Sequence, residues 1–387
     1  MLLTLSFCFV AVFFLAMTIA SLVHLQWVQR LPALAETGCP DASGDDDPVQ
    51  CSIVLAARNE DGRIEETVRR LLGQRGVRVE IIVVDDRSTD QTGAILRRLA
   101  VEDSRVKVQR IDVLPDGWLG KCHACQVGAG LATAKWILFT DADCWLKPDV
   151  IARALEVAHR EGVQHVTLTP GGVPETAGAQ AWHLAFHLSL SNWMSGVNRD
   201  RPGAYLGIGA FNLVRAGAYH ECGGYEALRL TVVDDVKLGL LLRRAGKKTR
   251  AFIGGDDAEC HWGRTVGAAI KIMEKNYFAA LDYRTGLVLG LIVTGTLLWS
   301  LALAGLMNGS PAGIAAGLAP LSSIFPARVV ARRLGWSMGG ALLTPFIYPV
   351  LIYAVVNSTA VTLWRGGVRW RDTFYSLEQL RAGNVRL

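Results

Sequence analysis

No aspartate, glutamate, lysine or arginine occurs before Arg30. The missing positive charge excludes the basic start of a cleavable signal peptide, and the apolar run Leu2 to Leu25 is too long for one, although Ala33-Leu34-Ala35 resembles a small-residue cleavage site. A run of that length crosses a hydrocarbon core of about 30 Å, so residues 1–30 are expected to form a transmembrane anchor. Charge is scarce elsewhere too: charged residues make up 19% of the chain and apolar ones 51%, with a mean hydropathy of +0.27. A wholly soluble domain carries more charge than this, and part of the chain is expected in lipid. The net charge is only +5, and no basic patch interleaved with aromatics appears, which argues against nucleic acid as a partner. Cys122 and Cys125 have CxxC spacing but lack both a second pair at zinc-ribbon distance and the histidine of a haem attachment motif. The eight cysteines are therefore expected to be reduced thiols.

What is present divides the chain. Gly286 to Leu306 is a second apolar span, and Ala341 to Trp364 is a third, interrupted by Pro345 and Pro349, which membrane helices tolerate. The Gly- and Ala-rich stretch Pro311 to Phe325 is a shorter candidate. Residues 285–364 thus read as a C-terminal transmembrane region of two to three segments, and 365–387 as a basic tail. Arg328, Arg332 and Arg333 form one basic group, and Arg365, Arg369 and Arg371 another. With one continuous helix between them, both cannot be cytoplasmic, so either the last segment is re-entrant or interfacial, or the tail breaks the positive-inside rule. Residues 31–49, containing ETGCPDASGDDDP, read as a polar linker. Residues 50–284 then have the size of an ordinary domain.

Within that domain, strand and helix patterns alternate. Ser52 to Ala56 is a buried strand; Ile64, Val68, Leu71 and Leu72 share a helical face; Glu80 to Val84 is the next strand. A helix near Thr92 to Leu99, a strand near Val106 to Ile111, a helix from Cys122 to Thr133 and a strand ending at Asp141 follow. This order predicts a largely parallel sheet with helices on both faces. Ligands of such sheets bind beyond the carboxyl ends of the strands.

Those ends carry Ala57-Arg58-Asn59-Glu60, Asp85-Asp86 and Asp141-Ala142-Asp143, too much charge for a core and well suited to a polar ligand. Asp141 and Asp143, one residue apart, are hard oxygen donors of the kind that hold Mg²⁺ or Mn²⁺ with phosphate and water. The competing reading is a solvated turn with Asp143 as a cap. Asp85 and Asp86 either accept a hydrogen bond from a base ring or cap the next helix, the role expected of Ser88, Thr89 and Asp90. Lys121 is either a phosphate-binding cation or a surface lysine. Asp234 and Asp235 either do chemistry or begin a helix whose dipole favours acids.

In order, CSIVLAARNE, IIVVDDRSTDQT, Gly120-Lys121 with Gly128 behind it, FTDADC and VVDD resemble the successive motifs of family 2 glycosyltransferases with the GT-A fold, over roughly residues 50–284. The apolar helices and LPDGWLGKCHAC are similar to the membrane-bound branch that glycosylates single lipids, such as the hopanoid-associated, carotenoid and ceramide enzymes. The resemblance implies an α/β, Rossmann-like, mostly parallel GT-A domain flanked by transmembrane helices. It implies donor binding by Ala57, Arg58, Asn59, Glu60, Asp85, Asp86, Lys121 and Asp141, and a divalent cation, Mg²⁺ or Mn²⁺, on Asp143 and Asp141. Asp235, with Asp234 beside it, falls at the catalytic position. The implied activity is transfer of one sugar, with inversion, from a nucleotide sugar to a lipid-like hydroxyl by a multi-pass protein with its catalytic domain in the cytoplasm. The Gln-x-x-Arg-Trp motif of many membrane members is missing near IKIMEKNYFAAL, which counts against a processive polysaccharide synthase; a catalytically silent membrane scaffold is the third alternative. Arg264, Lys271, Lys275 and His261 in that region either meet donor phosphate or rim an interfacial helix.

His183 and His187 have the i, i+4 spacing of a zinc pair, but the intervening glutamate of a metalloprotease and a third ligand are missing, and polar positions on an amphipathic helix are expected instead. In the same segment, Ala181 to Met194, Trp182, Phe186 and Trp193 form a stripe that either meets lipid as an acceptor entry or packs on protein.

Overall fold

The computed structural model describes residues 1–34 and 49–386; the acidic stretch 36–48 on which the linker reading rests lies outside them. In chain order, α1 (Leu2–Leu25) precedes β1 (Cys51–Ala57), α2 (Ile64–Leu72), β2 (Val79–Asp86), α3 (Thr92–Glu102), β3 (Val106–Ile111), α4 (Gly120–Leu131), β4 (Trp136–Asp141) and β5 (Cys144–Leu146). Then come α5 (Val150–Glu161), β6 (His165–Gly172), α6 (Ala177–Asn198), β7 (Asn212–Arg215), α7 (Ala216–Glu221), α8 (Asp234–Arg244), β8 (Thr249–Cys260) and α9 (Val266–Ala280). The chain ends with α10 (Thr285–Asn308), α11 (Pro311–Leu318), α12 (Ile324–Leu334), α13 (Gly339–Arg365), β9 (Gly367–Trp370), β10 (Thr373–Ser376) and α14 (Leu377–Gly383). Two compact units result, and they interleave along the chain. The first holds Gln29–Gly172, Gly196–His261 and the residues from Ala382 onward; the second holds Met1–Val28, Val173–Ser195 and Trp262–Arg381.

The first unit is built on an eight-stranded sheet of order β3-β2-β1-β4-β7-β6-β8-β5. β1, β2, β3 and β4 run parallel, β7 lies antiparallel between β4 and β6, and β8 runs parallel to β6. This is the mostly parallel sheet that the resemblance implies. Because both faces of the parallel strands are covered, β1, β2 and β4 are near-continuous apolar runs: Ile53 is in register with Ile81 on one side and Leu138 on the other, all fully buried. Ile64, Val68 and Leu71 of α2 close one side of this core. On α4, a Cβ at Gly128 would stand 2.4 Å from Val54 Cγ1. Only glycine lets that helix lie so close to the sheet, and α4 carries Lys121.

In the second unit, four helices are long and apolar enough to cross a membrane: Leu2–Leu25, Thr285–Asn308, Pro311–Leu334 and Gly339–Arg365. The third spans both α11 and α12, so the C-terminal region holds three such segments. α1 packs on α10 and α11 through Phe7, Val10, Leu298, Ala302 and Ala316. Gly305 and Gly313 let α10 and α11 touch backbone to backbone, since a Cβ on either would lie 2.5 Å from the other's carbonyl oxygen. Arg333 donates to the carbonyls of Leu25 (2.7 Å) and Val28. It therefore closes the C-terminal end of α1, and one member of the first basic group has a structural task besides any topological one.

α6 divides the stripe between its two readings. Trp182 is fully buried against Ala269 and Met273 of α9 and Ile347 and Ala354 of α13, and Phe186 packs edge-on to Trp262 at 5.6 Å. These two rings are core, whereas Trp193 is 41% exposed. His183 and His187 are also buried: a ring nitrogen of His183 lies 3.1 Å from the Gly263 carbonyl, and one of His187 lies 2.8 Å from the His183 carbonyl. Each ring satisfies backbone. Arg264 pairs with Glu175 at 2.7 Å, and the Lys275 ammonium sits 3.6 Å from the Trp370 ring centroid.

Candidate active site

All the strand ends singled out above belong to the sheet unit. β1 and β2 end in loops stitched to one another: the Asn59 N–H donates to Ser88 Oγ at 3.1 Å, the Glu60 N–H to Thr92 Oγ1 at 2.8 Å, and the Thr89 N–H to Asn59 Oδ1 at 2.8 Å. Asn59 and Arg87 hold positive φ of 54° and 59° in these turns. Asp90 accepts from the Thr92 N–H at 2.9 Å, at the start of α3, whereas Ser88 and Thr89 join the loops instead of capping that helix. Asp85 accepts from Arg110 (2.7 Å) and the Ser88 N–H (3.1 Å). Asp86 accepts from Arg87 at 2.7 and 3.0 Å, with Arg58 at 3.9 Å. The two carboxylates face different ways. A Cβ at Gly120 would stand 2.4 Å from Asp86 Oδ2, so Asp86 looks toward the start of α4, while Asp85 looks toward Gly93 and Arg110.

Lys121, the second residue of α4, reaches the other motifs. Its ammonium lies 2.7 Å from Asp141 Oδ1 and 3.8 Å from Asp234 Oδ2. Burial alone would lower its pKa, but the charges of Asp141, Asp234 and Asp235 outweigh that effect and raise it well above the usual lysine range. The lysine is thus fixed as a cation among three carboxylates. Asp234, buried at the start of α8, also accepts from the Tyr225 hydroxyl at 3.1 Å. Asp235 accepts two backbone N–H bonds, from Gly209 to Oδ2 at 2.7 Å and from Val236 to Oδ1 at 2.8 Å. Burial, then the charge of Asp234, pushes the Asp235 carboxyl up to about 6. That places a carboxylate near the operating range of a general base. Burial, then Asp141 and Glu60, pushes Asp143 up to about 6 as well.

The structure therefore gathers Lys121, Asp141, Asp234 and Asp235 directly, and places Asp143 and Glu60 within electrostatic reach. Arg58 and Asp86 approach the beginning of α4 from the neighbouring strand ends. Ala57, the last residue of β1, is buried and in register with Asp85. Asp141 and Asp143 present carboxylate oxygens on either side of the β4 to β5 junction, a donor set that fits a hard divalent cation. The Lys121 ammonium against Asp141 shows that positive charge is accommodated there.

Three contributors escaped the sequence reading. A Cβ at Gly209 would lie 2.8 Å from Asp141 Oδ2 and 3.3 Å from both Asp235 Oδ2 and Lys121 Nζ; the paired glycines of Leu206-Gly207-Ile208-Gly209 were the signal. Tyr225 carries no local mark. The third is a correction: Cys144 and Cys260 form a disulfide joining β5 to β8. They are not reduced thiols, because the antiparallel register sets them opposite one another, with Cα atoms 4.4 Å apart, across 116 residues of sequence. Among the described residues, Cys51, Cys122 and Cys125 are free and buried.

Residues 52–223 match the family described as Glycosyl transferase family 2. The 4,4'-diaponeurosporenoate glycosyltransferase of Staphylococcus haemolyticus (strain JCSC1435) is 34% identical over 217 residues, covering 52% of this chain and 54% of that protein. The succinoglycan biosynthesis protein ExoO of Rhizobium meliloti (strain 1021) is 35% identical over 113 residues, 29% of this chain and 31% of that protein. The chain thus spans about half, or less, of the length of these curated relatives. The mannosyltransferase PcManGT from Pyrobaculum calidifontis, solved in complex with GDP-Man and Mn²⁺, is similar in fold, with a TM-score of 0.52 at 15% identity over 93% of this chain and 99% of that one. Asp234 and Asp235 lie beyond the matched segment, but the same sheet unit carries them into contact with it. The match to glycosyl transferase family 2 thus covers residues 52–223 of this chain, and the sheet that bears them has the GT-A fold.

Proposed function

We propose that this protein transfers a single sugar, with inversion, from a nucleotide sugar to the hydroxyl of a lipid-like acceptor. The observation that carries the reading is the meeting of Lys121, Asp141, Asp234 and Asp235 at one place, with Asp143 beside them. Asp141 and Asp143 would hold Mg²⁺ or Mn²⁺, which, when bound, neutralises charge on the departing diphosphate. Lys121 supplies a second positive charge to the same phosphates. Asp86, facing the start of α4, is the better candidate of the Asp85-Asp86 pair for the base of the nucleotide, with Arg58, Asn59 and Glu60 lining the adjoining strand end; Asp85 is spent on Arg110 and its own turn.

Asp235 is the general base. Its two backbone hydrogen bonds fix the carboxylate and leave each oxygen a further lone pair. As the acceptor oxygen forms its bond to the anomeric carbon, the hydroxyl proton passes to Asp235, the bond from that carbon to the diphosphate oxygen breaks, and the nucleoside diphosphate leaves with the electron pair. Burial, then Asp234, holds Asp235 at its raised pKa, and Asp234, bonded to Tyr225 and near Lys121, positions the lysine.

Membrane association follows from the four apolar helices; a multi-pass topology with the catalytic unit in the cytoplasm is part of the proposal. The apolar acceptor is supported by the relative named for 4,4'-diaponeurosporenoate. The relative named for succinoglycan biosynthesis supports a polysaccharide alternative, against which stands the missing Gln-x-x-Arg-Trp. An assembled site with a tuned base disfavours a silent scaffold. The deciding experiment incubates membranes containing the full chain with labelled UDP- and GDP-sugars and Mn²⁺, then separates lipid extract from polymer. Label in a lipid carrying one sugar is the expected result; a ladder of longer products points to the synthase, and no metal-dependent transfer or hydrolysis of any donor overturns the enzyme reading.

A further inference from the structure

We infer that the Cys144–Cys260 disulfide is the positioning element of the Asp143 carboxylate, so that the site's affinity for a divalent cation depends on the redox state of this pair; the inference rests on the metal reading of Asp141 and Asp143. The chain leaves β4 at Asp141 and enters β5 at Cys144, with Asp143 directly before the cystine. β5 has three residues, lies at the sheet edge and meets β8 through Cys144 opposite Cys260, Trp145 opposite Glu259 and Leu146 opposite Ala258. An edge ladder this short is weak by itself.

Its partner strand is no firmer at that point. The β6 to β8 pairing slips on both sides of Pro170, just before Gly171 meets Glu259 and Gly172 meets Cys260. Irregular ladders of this kind mark sites where a side chain is re-aimed. What ties Asp143 down is the cystine arm. Its backbone carbonyl accepts from the His261 N–H at 3.2 Å, and its Oδ1 lies 3.9 Å from Cys144 Sγ. His261 in turn stacks on Trp145 with ring centroids 3.9 Å apart, and the Arg70 guanidinium covers the Trp145 ring at 4.5 Å. Asp143 is therefore held by Cys144, which follows it, and by His261, which follows Cys260, and one covalent bridge joins these two arms.

Reduction by a dithiol is a balanced two-electron exchange. A thiolate of the reductant attacks one sulfur, a mixed disulfide forms, and the second thiol of the reductant displaces it, leaving two protein thiols and an oxidised cyclic reductant. Among the free cysteines of the described residues, Cys51, Cys122 and Cys125 are buried away from solvent, Cys222 is half-buried and Cys8 is exposed on the apolar α1.

The test uses the full chain in detergent, in three forms: oxidised, reduced with dithiothreitol that is then removed by desalting, and the double variant Cys144→Ser/Cys260→Ser. Mn²⁺ binding is titrated through the loss of the free-ion paramagnetic resonance signal, in parallel with UDP and with GDP present, and thermal melting is recorded without metal. We expect reduction and the double substitution each to weaken Mn²⁺ binding about tenfold or more, and re-oxidation of the reduced protein with oxidised glutathione to restore it. A lower melting temperature with unchanged Mn²⁺ affinity overturns the inference, because it makes the bridge a stabilising cross-link and nothing else. If the double variant fails to fold, the reduced and re-oxidised wild type decides by itself. Asp143→Asn in the oxidised state separates the two levels: Mn²⁺ binding that Asp143→Asn abolishes but reduction leaves untouched sinks this inference alone, whereas oxidised protein that binds no Mn²⁺ with either nucleotide sinks the metal reading and this inference with it.

Discussion

The Gly209 N–H donates to Asp235 Oδ2 at 2.7 Å, and the space a side chain at Gly209 would need is taken by Asp141 and Lys121. A methyl group there meets carboxylate oxygens at 2.8 and 3.3 Å and the Lys121 ammonium at 3.3 Å. Gly209→Ala should therefore fold, with a change in melting temperature of a few degrees, and lose transfer by up to roughly 10²-fold, since displacing catalytic groups by about 1 Å has effects of that order. Steady-state rates beside a melting curve check this; a variant of near-normal turnover would show the site tolerates the shift.

Asp143→Asn should abolish metal-dependent donor binding, because it removes a negative charge from a hard-cation site. Nucleotide titration with and without Mn²⁺ reads the effect directly. Metal-dependent affinity that survives in the variant removes Asp143 from the ligand set.

Asp235→Asn should keep nucleotide affinity and reduce transfer by roughly 10²-fold or more, the scale of losing a general base. In wild type the base works when ionised, so kcat/KM should fall as pH drops through about 6, where burial and Asp234 hold the carboxyl. Because that value lies above the ordinary aspartate range, the folded state binds the proton more tightly than the unfolded chain. The associated stability is complete at acidic pH and is lost as pH rises through about 6. Asp235→Asn should remove that part of the pH dependence of the melting temperature.

Trp182→Ala should cost about 3–5 kcal/mol, the usual range for emptying a buried aromatic site, and should lower yield. Trp193→Ala, on the exposed side of α6, should stay within about 0.5 kcal/mol of wild type. Denaturation of each single variant in the same detergent separates them; equal losses would contradict the burial difference.

The sequence was most legible where strands are buried on both faces. Ile53 to Ala56, Ile81 to Val84 and Trp136 to Phe139 are apolar without interruption, and the strands that contain them proved to be central and parallel. The charged ends of those strands stood out against that background, so Asp86, Asp141 and Asp143 were visible from local pattern. β5 and β7 were not: three or four residues carry no periodicity that distinguishes a strand from a loop. Trp182 shows the other limit. A stripe at helical spacing reports that a helix has an apolar face, and says nothing of whether protein or lipid covers it. Cys144 and Cys260 are 116 residues apart, and their pairing is a property of sheet register that no local window contains.

The strand order has a geometric corollary. β4 and β5 are four places apart in the sheet, with β7, β6 and β8 between them, so a flat sheet would separate them by about 19 Å at the usual spacing between strands. The chain runs from Asp141 to Cys144 in three steps, which reach at most about 11 Å. The sheet must roll up until its edge strand comes back beside its middle, with Asp141-Ala142-Asp143 as the span that joins them. Winding the sheet brings β5, and β8 paired with it, back to the end of β4, so the far edge of the sheet flanks the two carboxylates.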